Sequence, residues 1–123
     1  LNESVEQCER LWKPKLLKCL TISNWIPTVI EKDFISISVT RIDNSKSLEN
    51  WLKEIEYSSI KENKIVWNVI GPEGGWSHNE ITSFLEYKIQ FVKLSDTILR
   101  TPTAAISASF ILNQWRNEKF KVY

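Results

Sequence analysis

All three glycines of this 123-residue chain, Gly71, Gly74 and Gly75, fall in the stretch VIGPEGGWSHNEI at residues 69–81. Glycine reaches left-handed backbone conformations without penalty and lets the main chain approach another group closely. A chain that concentrates this freedom at one place is built around that turn. Ahead of it, KIVWNVI (64–70) is a near-continuous β-prone run, as in a central strand covered on both faces. Behind it, SHNEITSFLEY (77–87) has helical periodicity, and Ser77 with Glu80 fits the S-x-x-E capping box that fixes a helix start. Strand, glycine loop and helix together bring backbone against a ligand at the carboxyl edge of a parallel sheet. A plain strand-to-helix turn is the simpler reading of the same pattern.

The rest of the chain alternates in kind. Residues 2–12 put Val5, Cys8, Leu11 and Trp12 on one helical face, and Pro14 ends that helix. Residues 16–26, LLKCLTISNWI, predict a second short helix stopped before Pro27. DFISISVTRI (33–42) alternates Ile35, Ile37 and Val39 with serines, a strand with one wetter face. Residues 45–60 carry Leu48, Trp51, Leu52 and Ile55 on one helical stripe, and IQFVKL (89–94) reads as the next strand. SDTILRTPT is irregular and carries Arg100, and AAISASFILNQWRNEKF is a closing helix. Thr101 suits its N-cap and Pro102 its first helical position, while Ala104, Ala105 and Ala108 form a small-residue face open to another helix, of this chain or of a twin subunit. Strands alternating with helices predict an α/β domain with a mostly parallel sheet and helices on both faces.

Several classes drop out. Sixteen basic against fifteen acidic residues give a net charge of +1, so RNA affinity would need a local patch, a second chain or a further domain. No apolar run approaches the roughly 18 residues of a membrane span. With Cys8, Cys19 and His78 as the only soft ligands, no metal site is expected, and isolated thiols in helix-like surroundings fit a reducing cytoplasm. There is no G-x-G-x-x-G, no G-K-[ST] and no nucleophile elbow. His78 lies in the capping sequence, as a solvated helix-start residue. The chain lacks methionine, which points to processing or to a longer parent.

IGPEGGWSHNEI and LSDTILRTPTAA, together with EQCERLWKPKL near the start, resemble the RsmE family. These are SPOUT-class, AdoMet-dependent methyltransferases that methylate N3 of a uridine in 16S ribosomal RNA. The resemblance implies a C-terminal trefoil knot, AdoMet bound within it, and a homodimer acting on 16S rRNA in the small ribosomal subunit. Residues 1–123 would then be a methyltransferase domain lacking its first strand and helix and an N-terminal, PUA-like RNA-binding domain. Carried over, Ile70, Gly71, Pro72, Glu73, Gly74 and Gly75 would form one cofactor wall. Leu94, Ser95, Ile98, Leu99 and Arg100 would form another, with Thr103 and Ala104 at the helix entrance. Arg100 is the expected catalytic residue, stabilising negative charge on uridine O2 or O4. Glu73 is a candidate base or a loop-bonding group, and Trp76 packs on its helix or stacks on a base. Gln7 and Arg10 are candidate RNA contacts. Ser95, Thr97 and Pro102 stand where the family has glycine, arginine and glutamate, so a carboxylate role at 102 is lost. Other readings are a SPOUT methyltransferase on tRNA and a decayed binding or dimerisation module.

Overall fold

The computed structural model describes residues 15–43, 45–55 and 63–120. The helix expected over 2–12, with Gln7 and Arg10, lies outside them. In chain order the elements are α1 (Ile22–Val29), β1 (Phe34–Ser38), β2 (Lys46–Ser47), α2 (Leu48–Glu54), β3 (Val66–Val69), α3 (His78–Glu86), β4 (Gln90–Lys93) and α4 (Thr101–Phe120). The four strands form one parallel sheet in the order β2-β4-β1-β3. One face buries Ile35 and Ile37 against Ile26 and Val29 of α1 and Phe84 of α3. The other packs Phe34, Val66 and Val92 under Leu48, Trp51 and Leu52 of α2 and Ala108, Ile111 and Leu112 of α4. The α/β class, the parallel sheet and the helices on both faces are as the sequence predicts.

The roles of two strands are exchanged relative to expectation. β1 lies inside the sheet and β3 at the edge of its described part, each residue of β3 only half-buried. The face of β1 read as wetter is covered, and Ser36 is 0% exposed. Its hydroxyl donates to the Trp67 carbonyl (3.2 Å) and accepts from the Asn68 side-chain amide (3.0 Å), while the Ser38 hydroxyl donates to Asn68 Oδ1 (3.0 Å). Serines are tolerated inside because a neighbouring strand supplies their hydrogen bonds.

Local signals moved other boundaries. Thr21 caps α1, its hydroxyl accepting the Asn24 N–H at 3.3 Å, so the helix starts late and contains Pro27 instead of stopping before it. Burial of Ile26 and Val29 carries the chain through the proline, whose missing N–H leaves a helical bond unmade. Residues 15–20 are exposed and non-helical, so Cys19 is an exposed thiol and not a helix-packed one. Ser47 caps α2, and the two residues Lys46–Ser47 pair with β4 as a short strand the sequence did not announce. The expected stripe of Leu48, Trp51, Leu52 and Ile55 is buried. Among the described residues, no helix is long and apolar enough to cross a membrane.

Candidate functional site

Three loops leave the carboxyl ends of β1, β3 and β4, and they enclose a cleft of about 910 Å³. This is the edge where open parallel sheets bind ligands. From the β3 side come Ile70, Gly71, Pro72, Glu73, Gly74 and Gly75, and from the β4 side Leu94, Ser95, Ile98, Leu99 and Arg100, closed by Ala104 of α4. Of the residues singled out as cofactor-binding, Thr103 alone does not line the cleft. It sits exposed on the first turn of α4. Ser38 at the end of β1 and the loop from Val39 to Ile42 also line the cleft, as do Ile81, Thr97 and Thr101, none of them among the expected site residues, and so does Trp76, read as packing on its helix or stacking on a base. The available signal was positional: in a parallel sheet every strand's carboxyl end opens on the same edge.

The glycine loop is held by specific contacts. Gly75 is the left-handed glycine (φ +78°), and its N–H closes a turn on the Pro72 carbonyl at 2.9 Å. Gly71 serves a different need, because a Cβ there would lie 2.9 Å from Trp76 Cε2. Trp76 cannot yield easily. Its indole N–H donates to the Ser38 carbonyl (3.0 Å) and its ring meets Phe84 edge-on at 5.1 Å. Trp76 therefore packs on its helix, as expected, and also faces the cleft. The capping box is present in both directions, with the Ser77 N–H donating to Glu80 Oε2 (2.7 Å) and the Glu80 N–H to the Ser77 hydroxyl (3.2 Å). His78 opens α3 exposed.

These contacts make a paired prediction. Gly71→Ala is expected to lower stability by about 1–3 kcal/mol through overpacking. Gly74→Ala meets no atom within 4 Å and should be neutral or slightly stabilising. Urea denaturation of the two variants checks this, and equal midpoints would refute the packing argument.

The second wall is shaped by its own short bonds. The Thr97 N–H donates to the Ser95 hydroxyl at 3.1 Å, which curls the loop where the resemblance expected a glycine. Lys93 bonds Asp96 at 2.9 Å, and that bond and the ammonium charge hold the Asp96 carboxyl below its ordinary 3.8. The tether is thus present above the ordinary carboxylate pKa and is lost only as pH falls through the lowered value. Thr101, expected as N-cap, is the first helical residue of α4. The Ala104 N–H bonds the Arg100 carbonyl (2.8 Å), and the Thr101 hydroxyl donates across the cleft to the Gly71 carbonyl at 3.3 Å. Arg100 and Glu73 are both exposed at the cleft. Glu73 is the one carboxylate among the described lining residues, and it makes no bond to the loop backbone.

A family model described as an RNA methyltransferase domain matches residues 1–113. Two curated relatives carry the name ribosomal RNA small subunit methyltransferase E. The protein from Synechocystis sp. is 33% identical over 114 residues, 92% of this chain and 36% of its own length. The Rickettsia conorii protein is 33% identical over 107 residues, 86% of this chain and 41% of its own length. The chain thus spans about two fifths or less of the curated relatives it matches. No solved structure matches it.

Proposed function

Because this chain belongs to the RNA methyltransferase domain family, we propose that it transfers a methyl group from AdoMet to N3 of a uridine in 16S ribosomal RNA. The observation that carries the reading is that the glycine loop and the Arg100 segment, far apart in sequence, share one cleft and are joined by the Thr101–Gly71 hydrogen bond. The relatives' names supply the substrate class.

The residues present fit a nucleoside-sized donor. The cleft is of the size that small ligands occupy. It combines apolar side chains (Ile70, Leu94, Ala104) with main chain exposed at Gly74 and Gly75, where nothing lies within 4 Å of an added Cβ. When bound, AdoMet supplies a methyl group made electrophilic by its sulfonium. Ile70 to Gly75 and Leu94 to Leu99 would hold it, through main-chain polar groups and apolar packing. Arg100 stabilises the negative charge that builds on uracil O2 or O4 as N3 loses its proton. In the proposal Glu73, the one carboxylate among the described lining residues, takes that proton. Orientation of N3 by the same walls supplies much of the remaining rate.

The proposal includes a trefoil knot, with residues 94–101 passing the glycine loop before α4 runs under the opposite face. It includes a homodimer built on α4. Ala104 and Ala108 are buried on one side of that helix, while Ile106 and Phe110 on the other are 71% and 63% exposed. In the proposal this chain is the methyltransferase part of a protein with an RNA-binding domain, acting in the cytoplasm, with Gln7 and Arg10 among its RNA contacts. Mass analysis of ribosomal RNA from a deletion strain should show loss of one 3-methyluridine, restored by the intact gene. The purified intact protein should sediment as a dimer. Unchanged 3-methyluridine overturns the substrate assignment, and absence of AdoMet binding by calorimetry favours a decayed module.

A further inference from the structure

The loop after β1 carries a cation that no motif marks. Arg41 lines the cleft and is exposed, as Arg100 is. Among the described lining residues the charged side chains are these two guanidiniums and Glu73, and neither guanidinium has a carboxylate partner among the described residues. A chain of net charge +1 therefore gathers a local positive excess at this opening.

The segment leading to Arg41 is fixed on both sides. The Ser38 carbonyl accepts the Trp76 indole N–H at 3.0 Å, which ties it to the glycine loop. One residue on, the Val39 N–H donates to the Val92 carbonyl at 2.9 Å, which ties it to β4. β1 lies between β3 and β4 in the sheet, so its loop emerges between the two walls. The apolar lining residues Val39 and Ala104 are buried, whereas Arg41 and Arg100 remain in solvent. A small ligand settles against the buried part. Solvated guanidiniums at the opening instead suit a polyanion that passes over it, since phosphodiesters stay hydrated and are gripped at their edges.

We infer that Arg41 holds a backbone phosphate of the RNA strand next to the target nucleotide, so that Arg41 from the loop after β1 and Arg100 from the β4 wall both grip the substrate at the cleft. This rests on the RNA methyl-transfer reading above. Arg41 is a positioning residue, and its effect is sequence-independent.

The test uses the intact protein, a fluorescein-labelled single-stranded RNA oligonucleotide titrated at several salt concentrations, and AdoMet titrated by calorimetry. Arg41→Ala is expected to weaken RNA binding about fivefold, the size of one exposed ion pair. The slope of log affinity against log salt should fall by about 0.7, the value for one phosphate contact on a single strand. AdoMet affinity should be unchanged, and Arg41→Lys should recover the slope. An unchanged salt slope overturns the inference, as does a weakened AdoMet affinity, which would assign Arg41 to the donor's carboxylate. In both cases methylation by the wild type keeps the functional reading intact. A wild-type protein that binds neither AdoMet nor RNA overturns that reading and the inference with it.

Discussion

Arg100→Ala is expected to reduce methyl transfer to RNA by about 10²–10³-fold, the usual loss when one preorganised donor to a developing anion is removed. AdoMet affinity should stay near wild type, because the proposed donor walls are main chain and apolar side chains. The position is well defined for this task. The Arg100 carbonyl accepts the Ala104 N–H at 2.8 Å, so the first turn of α4 fixes its backbone while the guanidinium remains open to the cleft. Arg100→Lys keeps the charge and loses the planar fork, and should recover only part of the rate. Single-turnover transfer from AdoMet with a labelled methyl group, alongside calorimetry, separates the two effects. Turnover at the wild-type rate in Arg100→Ala would remove this residue from the mechanism.

The largest stability effect should come from Phe84→Ala. Phe84 is 0% exposed and packs edge-on against both Trp76, at 5.1 Å, and Phe91, at 6.3 Å. Truncating a buried phenylalanine costs about 3–5 kcal/mol, a large part of the roughly 5–15 kcal/mol that stabilises a domain. The melting temperature should fall by roughly 15–30 °C. Loss of this ring also removes the support beneath Trp76, against which Gly71 is fitted, so affinity for the proposed donor, AdoMet, should fall even where the variant remains folded. Thermal denaturation and calorimetry at low temperature measure the two losses. A variant with wild-type melting would mean the ring is not packed as described.

Local signals make part of this structure legible in the sequence. The capping box at Ser77 and Glu80 and the apolar stripe from Leu48 to Ile55 act over a few residues, and both are present. The glycine cluster marked one wall of the candidate cleft because main-chain freedom is visible in composition. Strand position was not legible. Ser36 reads as a wet-face residue until Asn68 is known to lie beside it, and that pairing spans 32 positions. Thr101 likewise reads as a cap from its neighbours, but its hydroxyl bonds a carbonyl 30 residues away. Nothing around Arg41 is unusual in sequence. Only the shared edge of three parallel strands brings it to the cleft. Pro27 shows tertiary burial overriding a local stop signal.

The serine–asparagine contacts between β1 and β3 have a consequence for precision. Ser36 and Asn68 are directly paired across the two strands. Sliding one strand past the other by a single position would turn that amide toward the opposite, hydrocarbon-packed layer with its hydrogen bonds broken. The same slip would carry Gly71 about 3.3 Å away from Ser38 and Thr101. The buried Ser36 and its half-buried partner Asn68 thus act as an alignment key, holding the glycine bend opposite its partners to within a fraction of one residue's length.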